Sequence, residues 1–165
     1  MKAYEFAIVS SCPDADIATL SEKLFEVGCD DATVSLQKGV AIIEFDREAK
    51  NFYHALSSAL RDVRSSGVEV LHIAPDHLVS LSDIATRAGV TRAAVSNYAK
   101  GARGRDFPRP VVRVTTDTPL WDWVDVARWL VRQHGRLTSS DVVQARVVRR
   151  ENSEISVRRD HLNAA

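Results

Sequence analysis

Apolar positions in the first part of the chain fall into short runs of two different periods. Residues 4–9 (YEFAIV) are rich in aromatic and β-branched side chains and read as a buried or half-buried strand. Pro13 and Asp14 open a helix predicted to reach about residue 27, with Leu20, Leu24 and Phe25 available for packing and Gly28 as C-cap. Residues 32–37 (ATVSLQ) and 40–45 (VAIIEF) read as strands joined by Lys38-Gly39, a hairpin signal. A second helix is predicted over 47–66, where Phe52, Leu56, Ala59, Leu60 and Val63 recur at helical spacing. Gly67 ends it, and VEVLHI supplies a fourth strand. The order βαββαβ predicts a ferredoxin-like domain over 1–75, an antiparallel sheet with two helices on one face. That plan hosts many unrelated activities and names none.

Proline interrupts the fourth strand at Ala74-Pro75-Asp76, which marks a domain boundary. Beyond it, residues 80–101 (SLSDIATRAGVTRAAVSNYAKG) read as two short helices around a tight turn. Ser80 and Asp83 have capping-box spacing, and Ile84, Ala85 and Ala88 share one face. Gly89 stands where the chain must leave the helix with positive φ, and Thr91 caps the second helix, whose inward residues are Val95 and Tyr98. The small Ala85 allows a close crossing, and Val90 and Val95 fill the angle between the helices. This is a helix-turn-helix pattern.

The segment GARGRDFPRP breaks helix and leaves its arginines exposed. VVRV then reads as a strand, TTDTP as a turn and Leu120-Trp121 as the start of a returning strand, together a wing. Asp122 caps a further helix to about residue 134, with Trp123, Val126, Ala127, Leu130 and Val131 available for packing. Trp121, Trp123 and Trp129 fall here; bulk for a small core is favoured over base stacking. The expected architecture is α+β: a ferredoxin-like domain at 1–75, a winged helix-turn-helix at 76–136, and a C-terminal helix or flexible tail at 137–165. Val148, Ile155 and Leu162, seven residues apart, offer a seam for a partner helix, and a frayed tail is the alternative.

Charge sharpens this division. The formal net charge is zero, yet residues 1–75 hold 7 Lys/Arg against 12 Asp/Glu, while 76–136 hold 10 against 6. Between residues 87 and 113 the count is 7 cations against the single Asp106, the footprint expected beside a phosphate backbone.

Other chemistry is sparse in the sequence. No nucleophile–base pairing or phosphate-cradling glycine loop stands out, so no catalytic residue is assigned and an enzyme is the least supported class. The five histidines lack metal-type spacing, and no metal or cofactor is expected. Cys12 and Cys29 flank opposite ends of the first helix, too far apart for a disulfide, and read as idle or buried thiols. No apolar run suits a bilayer span or a secretory signal, so no membrane partner and a cytoplasmic address are expected.

The motif at 80–101 resembles the DNA-reading headpiece of LacI-type repressors and, more loosely, phage repressors. The stretch at 107–130 (FPRPVVRVTTDTPLWDWVDVARWL) is similar to the end of excisionase and MerR-type winged-helix domains, where a basic wing precedes an aromatic-anchored helix. Neither the LacI hinge helix nor the MerR coiled coil follows here. The resemblance implies DNA binding and leaves effector and dimerisation route open.

The expected activity is sequence-specific binding of double-stranded DNA by a bacterial-type transcription regulator acting as a homodimer on an inverted repeat. Thr91, Arg92, Ala93, Ser96 and Asn97 face outward on the second helix and are the candidate base readers. Lys100, Arg103, Arg105, Arg109 and Arg113 are the candidate phosphate and wing contacts. Two alternatives share the DNA head. In one, the acidic 1–75 domain holds a protein partner, as in an antitoxin or phage-type accessory factor. In the other, that domain senses a small ligand.

Overall fold

The computed structural model describes residues 1–165, apart from the side chain of His134. The chain is mixed α+β and divides into two compact units: Met1–Pro75 together with Arg150–Ala165, and Asp76–Arg149.

The first unit contains β1 (Lys2–Ser10), α1 (Ile17–Glu26), β2 (Ala32–Gln37), β3 (Val40–Ala49), α2 (Phe52–Ser65) and β4 (Val70–Ala74). Its four strands lie in the order β2-β3-β1-β4, with every neighbouring pair antiparallel. Alternation along β3 makes one face apolar: Ala41, Ile43, Phe45 and Ala49 are buried, whereas Glu44, Asp46 and Glu48 are exposed. In the β1–β3 register Phe6 stands opposite Phe45 and Ile8 opposite Ile43, so two strands contribute to one layer. Leu20 and Leu24 of α1 and Phe52, Leu56, Leu60 and Val63 of α2 complete this core, each large side chain contributing about 1.5–3 kcal/mol by burial.

Three local expectations are corrected. Helix α1 does not start at Pro13, because Asp14 and Ala15 adopt positive φ in a short 3-10 turn; Asp16 is the N-cap, accepting the Thr19 N–H. Phe25 lies off the Leu20–Leu24 stripe and is 68% exposed. Arg47 does not begin a helix but extends β3, and its guanidinium is buried on the helix side of the sheet. There it meets Asp31 at 2.7 Å and Asp62 at 2.8 Å, and donates to the Gly28 carbonyl at 3.2 Å. Four partners satisfy it, since the Ser58 hydroxyl also accepts at 3.2 Å.

Residues 139–164 form one helix, α6 (Ser139–Ala164), rather than a flexible tail. Its residues to Arg149 cluster with the second unit and those from Arg150 with the first. Ile155 is 2% exposed within the chain, and Leu162 is exposed, so the seven-residue seam is not presented whole to a partner.

The second unit contains β5 (Leu78–Val79), α3 (Leu81–Ala88), α4 (Arg92–Ala99), β6 (Trp121–Asp122), α5 (Trp123–His134) and the start of α6. β5 and β6 pair antiparallel, Leu78 with Asp122 and Val79 with Trp121. The core gathers Val79, Ile84, Ala85, Ala88, Val95, Tyr98, Trp121, Val126, Trp129 and Leu130. Trp121 and Trp129 are thus core bulk, and Trp123 is half-buried against it. Among the described residues no helix is long and apolar enough to cross a membrane.

Candidate nucleic-acid interface

The turn between α3 and α4 is fixed by local chemistry. Ser80 Oγ accepts the Asp83 N–H at 3.2 Å while the Asp83 carboxylate accepts the Ser80 N–H at 2.9 Å, a reciprocal cap. Gly89 leaves α3 at φ +67, and the Val90 N–H returns to the Ala85 carbonyl at 3.0 Å. Thr91 Oγ1 accepts the Ala94 N–H at 3.1 Å and starts α4. Arg136 donates to the Gly89 carbonyl at 3.3 Å, a contact on the turn that sequence reasoning missed. Ile84, Ala85 and Ala88 of α3 and Val95 and Tyr98 of α4 are all buried.

Burying Val95 and Tyr98 leaves the opposite side of α4 open. Thr91, Arg92, Ala93, Asn97 and Lys100 are exposed and Ser96 is half-buried. Helical spacing sets Arg92, Ser96 and Lys100 in one row and Ala93 and Asn97 in the next. The Thr91 hydroxyl oxygen, read as a base or phosphate contact, is engaged in the cap; its proton stays available for donation.

Beyond Lys100 the chain folds back. The Asn97 carbonyl accepts N–H groups from Ala102 at 2.9 Å and Arg103 at 3.3 Å, so the cationic segment adjoins the end of α4. This segment lacks regular structure but is anchored. Trp129 Nε1 donates to the Arg105 carbonyl at 2.7 Å, and Trp121 Nε1 to the Pro108 carbonyl at 3.0 Å. Phe107 packs edge-on against Trp129, with ring centroids 5.0 Å apart. Gly104, at φ +70, lies on the Trp129 ring so closely that an added Cβ would stand 2.6 Å from Cζ2. The backbone is held inward while the Arg103, Arg105 and Arg109 side chains are exposed. Phe107 and Gly104 are positioning residues missed from sequence. The aromatic ahead of the prolines in FPRP was the only signal for Phe107, and Gly104 had none.

The predicted wing is reduced. Residues 111–114 do not form a strand; a single bridge joins Val112 to Leu120, with the Leu120 N–H on the Val112 carbonyl at 2.9 Å. The reason lies at Arg113, whose φ of +57 leaves extended geometry and whose carbonyl turns to accept the Thr116 N–H at 3.1 Å. Arg113 therefore heads an exposed turn, and Trp121 and Asp122 pair with β5 instead.

Arg87 belongs to the basic run but not to its open surface. It is half-buried, donates to the Asp76 carbonyl at 2.9 Å and sits 5.3 Å from the Trp123 ring centroid. Burial lowers its affinity for the proton from the ordinary guanidinium value, opposed by Asp76 and Asp83. No family model matches the chain, and neither a curated protein nor a solved structure matches it.

Proposed function

We propose that this protein is a sequence-specific double-stranded DNA-binding protein, a bacterial-type transcription regulator that acts as a dimer. On this reading the second unit is a helix-turn-helix with a short wing, and residues 1–75 form a ferredoxin-like dimerisation or interaction domain. The strand order β2-β3-β1-β4 supports the latter.

The carrying observation is the exposed face of α4. Arg92, Ala93, Asn97 and Lys100 point away from a core that fully occupies Val95 and Tyr98. A helix held this way enters a major groove with Arg92 and Ser96 in one row and Asn97 in the next. Arg92 suits the two acceptors of guanine, Asn97 the acceptor and donor of adenine, and Ala93 a thymine methyl. Lys100, Arg103, Arg105, Arg109 and Arg113 neutralise phosphates. Selection from random duplex DNA with the full chain tests this: an enriched inverted repeat is the expected result. Absence of any duplex binding in low salt refutes it.

A second reading rests on the charge excess of residues 1–75, 12 Asp/Glu against 7 Lys/Arg. There Glu5, Glu44 and Asp46 line the open face of the sheet with Thr33 and Ile42, a surface suited to a cationic protein partner. Copurification from the native host with a stoichiometric partner would favour it.

A further inference from the structure

The two edges of the first unit's sheet are treated differently. At β4 the Asn152 side-chain amide accepts the Ile73 N–H at 2.7 Å and donates to the Ile73 carbonyl at 3.3 Å, closing that edge. The outer edge of β2 has no such cover. Its six residues, ATVSLQ, contain no charge and no proline, and their register with β3 runs without a bulge. These are the devices by which exposed edges are usually guarded. Among the described residues β3 and α1 are the elements that pack appreciably on β2. Thr33, Leu36 and Gln37 are exposed. Thr19, Leu20 and Lys23 of α1 line a cleft with Ser66, Gly67 and Val68, so the flank bearing Ile17, Ser21 and Phe25 lies on the other side, toward β2. Phe25, on the helix that packs on β2, is exposed.

We propose that β2 is the self-association edge of this protein, pairing antiparallel with β2 of a second copy about a twofold axis through Val34. The charges flanking the strand commit it to this occupant. Exposed Asp30 precedes β2 and exposed Lys38 follows it. With the axis at Val34, Ala32 of each copy stands opposite Leu36 of the other and Thr33 opposite Ser35, and Asp30 of one copy and Lys38 of the other, in the turns that bound the strand, fall at the same end of the paired strands. Opposed side chains share a face, and Ala32, Val34 and Leu36 are on the face of Phe45, Ile43 and Ala41. Apolar pairs therefore meet on the helix side and hydroxyls on the other. Moving the axis to Thr33 or Ser35 leaves both charges without mates. The proposal deepens the dimeric part of the function above and rests on that reading only there.

Sedimentation velocity of the full chain over a concentration series tests it. The wild type is expected to dimerise. Asp30→Lys and Lys38→Asp each turn two symmetry-related attractive pairs into like-charge pairs and raise the dimer dissociation constant about tenfold. The double exchange D30K/K38D restores it. Val34→Cys, on the axis, forms a disulfide-linked dimer under mild oxidation. Asp30 and Lys38 are exposed and Val34 is half-buried, and circular dichroism melts establish that each variant is folded. A wild type that stays monomeric at the highest soluble concentration overturns the proposal, as does self-association that ignores both reversals or is not restored by the exchange. Gel shifts on the same samples separate the two readings. A charge-sensitive dimer that shifts no duplex keeps the edge and removes the DNA reading. A wild type that binds duplex while D30K dimerises unchanged removes the edge alone.

Discussion

Trp129 donates its indole N–H to the backbone carbonyl of Arg105 at 2.7 Å. A residue of the core, 1% exposed, thereby holds the backbone of a segment whose arginines face solvent. Trp129→Phe keeps most of the apolar volume and removes the donor, leaving the Arg105 carbonyl to water. The expected loss is about 1–2 kcal/mol of stability, with weaker duplex binding but unchanged base preference. Gly104→Ala attacks the same contact from the other side, because its Cβ would meet the ring at 2.6 Å in a backbone at φ +70. Urea titration and gel shifts read both variants. Two variants that match the wild type in each would show that the anchor has no effect on the arginines.

On the proposed function, base-reading and phosphate contacts are separable by salt. Arg92→Ala removes a candidate base reader from the open row of α4 and should cost about 1–3 kcal/mol at the preferred site, relaxing preference at one base pair. Arg105→Ala removes a candidate phosphate contact, weakening all duplexes alike and lowering the slope of log affinity against log salt by about one. Equal loss on all sequences from Arg92→Ala would remove it from the base-reading set.

Arg47 is the one cation buried in the first unit's core layer, bonded to Asp31 and Asp62 across β3, the turn before β2, and α2. Those two carboxylates are largely removed from water, with 27% and 17% of their side-chain surface exposed. The hydrogen bonds that Arg47 donates to Asp31 raise the guanidinium's affinity for its proton, against the opposing cost of burial. Arg47→Ala should destabilise the chain by about 3–5 kcal/mol, since it leaves two half-buried carboxylates facing each other. Chemical denaturation checks the value, and a loss below about 1 kcal/mol would mean that water replaces the guanidinium freely.

Cys29 is buried beside this ion cluster, and burial pushes its thiol up to about 11 from an ordinary 9.0, against the pull of Arg47. The sign is that of an acid whose proton is held more tightly in the folded state. Its contribution is complete below about pH 9 and is lost as pH rises toward about 11, where the unfolded chain has already released its proton. Thiol titration at pH 8 should find Cys12 reactive and Cys29 protected until the chain unfolds. Cys29→Ala should flatten part of the stability decline between pH 9 and 11; an identical decline in both proteins would assign it to other groups.

Features with a local cause were legible in the sequence. The caps at Ser80 and Thr91 and the left-handed Gly89 depend on neighbours within a few residues, and periodicity alone separates Val95 and Tyr98 from the exposed face of α4. Features with a distant cause were not. Arg47 looked like a helix start because its partners, Asp31 and Asp62, lie 16 and 15 residues away. The strand expected at residues 111–114 failed because Arg113 takes positive φ and Trp121 is claimed by β5, 42 residues earlier in the chain. In the same way Gly104 reads as a loop residue until Trp129 is seen beneath it.

Asn152 is the most distant case of all, 79 residues from Ile73, and it carries a clear expectation. The C-terminal end of α6 has exposed Val157 and Leu162 and one fully buried large side chain, Ile155, so apolar packing alone holds it weakly to the first unit. The amide supplies the rest by satisfying both edge groups of a buried β4 residue. Asn152→Leu keeps the volume and leaves the Ile73 N–H and carbonyl buried without partners, a cost of about 1–3 kcal/mol. Asn152→Asp keeps an acceptor for the N–H and, while protonated, an O–H for the carbonyl, but loses that donor on ionisation, so it should be intermediate below the carboxylate's titration and worse above it. Hydrogen exchange at the Ile73 amide reads the bond directly: protection should fall in Asn152→Leu by more than in the rest of the sheet. Uniform loss across all four strands would instead mean that α6 supports the unit as a whole, with no particular role for this amide.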